Sequence, residues 1–328
     1  MKNFRHVLGL FLFILPSITF AGSAKIALIL DRGGKDDKSF NASAFKGANE
    51  AKQKLGAIVK DIEPSDDSMF EAAARATAQK NFDLIIGVGF NHKEAISKIA
   101  KEFPQQKFAI VDAVVDLPNV RSLMFNEHEG SYLVGAIAAM KTKGDTIGFI
   151  GGMDIPLIRR FLMGFEQGIK ETNPKLKIAA NYVGVTGEAW NNPTKGKELA
   201  LSQFSRGIDL IYVAAGNSNM GVFDAVDKEN KMAIGVDSNQ NYLKPGKIIT
   251  SMVKRVDLAV YKAIEDTMSG KFTAGTTYFG LKEQGVDWTL DDFNKKLYSP
   301  QELVRINQIK KSIIEGKIKV RDYYKNPR

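Results

Sequence analysis

The chain contains no cysteine in 328 residues. This excludes a disulfide framework, a thiolate zinc site, a cysteine nucleophile and lipidation through an N-terminal cysteine. Histidine is almost as scarce, with three in all. His92 and His128 stand apart from each other, and neither lies beside a serine in a nucleophile-elbow pattern or in a cluster with metal spacing. No Walker A or dinucleotide fingerprint occurs, because Gly33 and Gly34 lack the later glycines and the Lys-Ser/Thr that those loops require. Asp31, Asp36 and Asp37 lack the glycine and closing glutamate of a calcium loop. No metal or cofactor is therefore expected. Charge of one sign is not concentrated either: the formal +9 arises from 46 basic residues spread among 37 acidic ones. The one basic concentration, Lys310 to Arg328, reads as a solvated amphipathic surface, so nucleic acid is not an expected partner. Long apolar runs of the ~20 residues that span a bilayer are absent.

The first segment has a charged start (Lys2, Arg5) and an apolar run from Val7 to Phe20, followed by small residues. These are the marks of a secretory signal peptide over residues 1–21, cleaved after Ala21 or Ala24. The remainder is expected to be an exported, soluble chain of two domains. Short apolar runs alternate with amphipathic ones. Lys25–Leu30, Ala57–Ile62, Leu84–Val88 and Phe108–Val111 read as strands; Phe40–Leu55 and Lys93–Phe103 read as helices. Ser68 and Glu71 suggest a capping box for the helix between the second and third strands. The rhythm restarts at Val120–Phe125 and runs to Ile248–Ser251, with a helix over Ser131–Met140. Ser299, Pro300 and Glu302 mark the start of a last helix. Alternating strands and helices imply parallel sheets covered on both faces. The fold class expected is α/β, with two doubly wound lobes. The first lobe comprises 25–126 plus 253–281 and the second 127–252 plus 282–328. Crossings near Asn126–Glu129, Ser251–Lys254 and Leu281–Gly285 would act as the hinge, with His128 a solvated residue within it.

Ligands of open parallel sheets sit beyond the carboxyl ends of the strands. Three carboxylates follow three strands there: Asp31, Asp112 and Asp237. With glycines, Phe40 and Asn41 beside them they suit a neutral ligand rich in hydroxyls, since each carboxylate accepts strong charge-assisted hydrogen bonds. The same cluster would repel an anionic ligand, although Lys254 offsets one charge.

Five segments carry a family resemblance. They are Asp31-Arg-Gly-Gly-Lys-Asp-Asp-Lys-Ser-Phe-Asn41, Glu129-Gly-Ser-Tyr-Leu-Val-Gly135, Ile147-Gly-Phe-Ile-Gly-Gly-Met153, Ile234-Gly-Val-Asp237 and Ser251-Met-Val-Lys-Arg-Val-Asp257. In this order they resemble the basic membrane protein (BMP) family, substrate-binding proteins of ABC importers whose characterised type binds purine nucleosides. The resemblance implies a type I periplasmic-binding-protein fold with three crossings, a periplasmic location, and a permease with its ATPase as partners. It implies no catalysis. It also implies roles. Phe40 and Trp190 would stack on the purine, and Asn41 and Asp112 would read the base edge. Asp31, Asp237 and Lys254 would hold the ribose hydroxyls, with Gly216 allowing close backbone approach; the Asp and Lys roles are exchangeable. Two departures stand out. Members anchored through a cysteine after the signal peptide are common, and this chain has none. Ser238-Asn239-Gln240 has an amide where an acid is common. Other readings of the same fold are a sugar-binding protein, a ligand sensor docking a receptor, and an exported nucleoside hydrolase.

Overall fold

The computed structural model describes residues 23–327, so the signal-peptide expectation falls outside the described residues. The first lobe begins with β1 (Lys25–Ile29), α1 (Phe40–Leu55), β2 (Ile58–Ile62), α2 (Asp67–Ala78), β3 (Leu84–Val88), α3 (Lys93–Glu102), β4 (Phe108–Val111) and β5 (Val120–Phe125). The second continues with α4 (Glu127–Lys141), β6 (Thr146–Met153), α5 (Pro156–Thr172), β7 (Lys177–Gly184), α6 (Pro193–Ser205), β8 (Leu210–Ala214), α7 (Asn219–Lys228), β9 (Met232–Asp237) and β10 (Ile248–Lys254). The chain then supplies α8 (Val256–Met268), β11 (Gly275–Phe279), β12 (Val286–Trp288) and α9 (Pro300–Ile314).

Two six-stranded sheets result, in the orders β11-β5-β4-β3-β1-β2 and β12-β10-β9-β8-β6-β7. They correspond strand for strand. The inner strands β3, β4, β5 and β8 are buried along their whole length because helices cover both faces. β2 and β7 sit at the outer edges and are half exposed. The one difference lies at the crossing edge, where β11 runs parallel to β5 but β12 runs antiparallel to β10.

The crossings are narrower than the sequence suggests. Phe125 ends β5 and Glu127 opens α4, so a single residue, Asn126 (φ −91°, ψ 64°), joins them. Arg255 does the same between β10 and α8, with φ −76° and ψ 59°. Both adopt the inverse-γ conformation. The third crossing, 280–285, is tied to the other two: the Asn126 amide donates to the Phe279 carbonyl at 3.0 Å and the Arg255 amide to the Gly285 carbonyl at 2.8 Å. Ser251–Lys254 is not hinge but strand, within the second sheet. His128 is not solvated. It is the second residue of α4 and is only 6% exposed, because α5 packs over it.

Local signals explain most helix ends. Ser299 and Glu302 make both bonds of a capping box at α9. At α2 the cap is Asp66 instead of Ser68: the Asp66 carboxylate accepts the Met69 amide, and Ser68 turns its hydroxyl onto Asp66 at 2.6 Å. A carboxylate two residues earlier outcompetes the hydroxyl for the free amides.

Helices α4 and α5 meet backbone to backbone. A Cβ on Gly164 would lie 2.1 Å from the His128 carbonyl oxygen, and one on Gly135 2.3 Å from that of Phe165. Gly164→Ala is accordingly expected to destabilise the protein by about 1–3 kcal/mol in urea unfolding. Gly144→Ala, whose nearest neighbour would be 3.5 Å away, is expected to change little. Equal effects of the two would show that the α4–α5 contact yields freely.

Candidate functional site

The carboxyl ends of both sheets face a common cavity of about 550 Å³, its mouth included. Asp31, Phe40, Asn41, Asp112, Trp190, Gly216, Asp237 and Lys254 all line it. So do Arg32, Asp37, Phe90, Leu157, Ile158 and Phe161, which the sequence reading did not select.

The loop after β1 is braced from within. The Asp37 carboxylate accepts the amides of Ser39, Asn41 and Ala42 at 2.8–3.0 Å and so caps α1. Asn41 is fully committed to the same loop. Its oxygen accepts the Asp31 amide at 2.8 Å, and its nitrogen donates to the Arg32 carbonyl and to Asp37. It therefore positions Asp31 and Phe40, and both of its amide hydrogens are already placed. Gly89 (φ +116°) admits the Asp31 carboxylate, since a Cβ there would lie 2.6 Å from Asp31 Oδ2.

Asp112 and Asp237 occupy equivalent places in the two lobes, at the ends of β4 and β9, and both are left-handed, with φ +69° and +63°. A left-handed aspartate is uncommon and strained, a feature that concentrates at functional sites. Lys254, at the end of β10 and 1% exposed, joins them. Its ammonium lies 2.6 Å from Asp112 Oδ2 and 3.0 Å from Glu127 Oε1. The rings of Phe40, Phe125 and Phe161 surround it at 5.1–5.6 Å. Burial opposes the charge on Lys254, but Asp112, Glu127 and Asp237 together hold its pKa above the ordinary value. Burial is the main cause that pushes Asp112 up to about 7 and Asp237 up to about 6. Asp112 Oδ1 is buried and has no hydrogen-bond partner among the described residues.

The pair is part of a longer chain of charge. Arg160, 1% exposed, bonds Glu127 at 2.7 Å and Asp322 at 2.6 Å and donates to the Phe125 carbonyl. On the far wall Trp190 occupies the turn Gly187–Asn191, with its ring over Gly152, where a Cβ would lie 2.1 Å from it. Phe90 meets Trp190 edge-on at 6.3 Å. Gly216 (φ +58°) approaches the Trp190 carbonyl. Phe90 was legible as a missed residue, because it follows β3 just as Phe40 follows the β1 loop. Leu157, Ile158 and Phe161 were not, since the first turns of α5 look like any buried amphipathic helix.

Among the described residues no group of His, Cys, Asp and Glu could hold a metal ion, and no helix is long and apolar enough to cross a membrane. The Bmp family model, described as "ABC transporter substrate-binding protein PnrA-like", matches residues 24–323. An uncharacterized lipoprotein of Pyrococcus horikoshii is 35% identical over 82% of this chain and 70% of its own. An "ABC transporter nucleoside-binding protein BmpA" of Lactococcus lactis is 33% identical over 90% of this chain and 88% of its own. The solved solute-binding protein of an ABC transporter system from Aeropyrum pernix superposes with a TM-score of 0.83 at 30% identity, covering 90% and 92% of the two chains.

The raised carboxylates set a pH dependence. Between the ordinary value of 3.8 and about 6 or 7, the folded protein holds protons on Asp237 and Asp112 that the unfolded chain has released. Their contribution to stability is present in acid and is lost as pH rises through that window. His128, which burial lowers to about 4, acts in the opposite sense: its contribution is lost as pH falls below 6.5. Asp237→Asn keeps an acceptor for Ser39 and removes the ionisation. It is expected to be more stable than the parent at pH 7 by up to about 3 kcal/mol, with the gain vanishing toward pH 4. Denaturation measured across that range checks this; a gain independent of pH would mean that Asp237 ionises normally.

Proposed function

The chain belongs to the Bmp family of PnrA-like ABC-transporter substrate-binding proteins, and we propose that its ligand is a purine nucleoside closed between the two lobes. As an extracytoplasmic substrate-binding protein it works with a permease and its ATPase. The periplasm is the location we assign to it; several relatives carry the word lipoprotein in their names, whereas this chain has no cysteine.

The observation that carries the ligand reading is the pairing, in one cavity, of aromatic rings from both lobes with an unpartnered buried carboxylate oxygen. Phe40 comes from the first lobe and Trp190 from the second, so closure brings both to the ligand. A base has two faces for such rings, each stack contributing about 1–3 kcal/mol. Asp112 Oδ1, left without a partner at the end of β4, suits an N–H of the base edge. Asp31 and Asp237 suit ribose hydroxyls, and Lys254 offsets one of the negative charges. The name of the Lactococcus relative favours the same class. Asn41 serves as a brace for the loop, not as a reader of the base. In this reading the ligand leaves chemically unchanged.

Titration calorimetry with inosine, guanosine and adenosine tests the reading, with free ribose as competitor. Nucleosides are expected to bind and ribose to compete weakly or not at all; the reverse order would make this a sugar-binding protein. Phe40→Ala is expected to weaken nucleoside binding by about 1–3 kcal/mol, and unchanged affinity would remove Phe40 from the stack. Nucleoside monophosphates are expected to bind at least ~100-fold more weakly than nucleosides, because a phosphate beside Asp31, Asp112 and Asp237 makes like-charge contacts. Equal affinities for AMP and adenosine would place the three carboxylates away from the ligand.

A further inference from the structure

Beside the cavity, the two lobes touch directly through a small polar cluster that no ligand role requires. The segment Lys38–Ser39 of the first lobe faces the turn after β9 in the second. Ser39 Oγ donates to Asp237 Oδ2 at 2.6 Å, Ser238 Oγ donates to the Ser39 carbonyl at 2.8 Å, and Gln240 Nε2 donates to the Lys38 carbonyl at 3.0 Å. Ser39 and Gln240 are fully buried.

Each of these side chains has a donor group free for this contact. Ser39 stands at the N-cap position of α1, yet its hydroxyl makes no capping bond. Asp37 caps the helix instead, which leaves the hydroxyl to reach across the cleft. Gln240 is anchored within its own lobe, where its amide donates to Ser251 Oγ at 3.0 Å and its side-chain oxygen accepts the Val236 amide at 2.9 Å. That second bond fixes which end of the amide is which: the oxygen faces an N–H, so the nitrogen faces the Lys38 carbonyl. Only an amide satisfies a donor on one side and an acceptor on the other. A carboxylate would set an anion against a buried carbonyl.

We propose that Ser39, Ser238 and Gln240 form a latch that stabilises the closed arrangement of the lobes independently of any ligand, with the Gln240 amide as its key donor. Protein-to-protein bonds across the cleft exist only in the closed state, so they bias the open–closed equilibrium toward it. A ligand then meets a protein already partly closed, and its departure requires the latch to open. Within the latch, Ser39 holds Asp237 Oδ2, and Asp237 also lines the cavity. Ser39 is thus a positioning residue for the site.

The absence of cysteine makes a direct test simple. Lys60→Cys and Ala180→Cys, exposed positions on the outer strands β2 and β7, give one label site on each lobe. Spin-label distance distributions of the protein without ligand then report the open and closed fractions. The doubly labelled parent is expected to show a closed fraction. Gln240→Glu, which keeps the shape and the Val236 bond, is expected to lower the closed-to-open ratio about 3- to 10-fold, the worth of one hydrogen bond. Ser39→Ala, which leaves the helix cap intact, is expected to do the same and serves if the glutamate variant folds poorly. Inosine dissociation is expected to quicken by a similar factor. Distance distributions of both variants that coincide with the parent's would overturn the latch. Because the distances are read without ligand, a failure of the nucleoside reading leaves this result standing, and the two failures are distinguishable.

Discussion

Lys254 is a fully buried cation whose neighbours would otherwise repel one another. Asp112 comes from the first lobe, Glu127 from the helix that follows the first crossing, and Asp237 from the end of β9. Without the ammonium, three carboxylates could not share so dry a space. Without the carboxylates, the ammonium would not remain charged there. Removing the ammonium from such a buried set typically costs 3–5 kcal/mol, because the carboxylates are left uncompensated. Because Asp112 and Lys254 belong to opposite lobes, their bond also fixes the closed geometry. Glu127 passes the constraint on to Arg160, which holds the Phe125 carbonyl beside the hinge and Asp322 of the C-terminal segment. One charge network thus ties the cavity, the crossing and the tail together.

The rest of the molecule is arranged so that this contact can form and break without disturbing either lobe. The two sheets share one strand order, and each ends a matching strand in a left-handed aspartate. Two single residues with nearly the same backbone angles, Asn126 and Arg255, carry the chain between lobes. The short linkers and their hydrogen bonds to the third crossing limit the motion to a hinge. The bonds that run across the cleft include the Lys254–Asp112 pair, the Arg32–Glu188 pair and the cluster at Ser39. A ligand that touches both lobes favours whichever arrangement of them it binds more tightly.

Much of this was legible in the residues. Strand and helix alternation gave two parallel sheets because burial on both faces leaves continuous apolar runs such as those of β3 and β4. The rule that ligands gather beyond strand ends pointed to Asp31, Asp112 and Asp237. It pointed equally to Phe90, which was passed over because nothing local separates a cavity ring from a core ring. Other features were misread for reasons of competition. Ser68 lost the cap of α2 to Asp66. His128, flanked by Glu127 and Glu129, reads as solvated in a linear pattern but is buried once α5 lies across it.

By itself the sequence determined the repeating β-α order, the two-lobe division and the residue types at the strand ends, because periodicity and turn chemistry act over a few neighbours. Only the tertiary structure decided which charges meet. Lys254 and Asp112 are 142 positions apart, and Gln240 and Lys38 are 202 apart. No local propensity links such pairs. They come together because two sheets of equal strand order face each other across three short crossings, which sets the same ends of both sheets against one another.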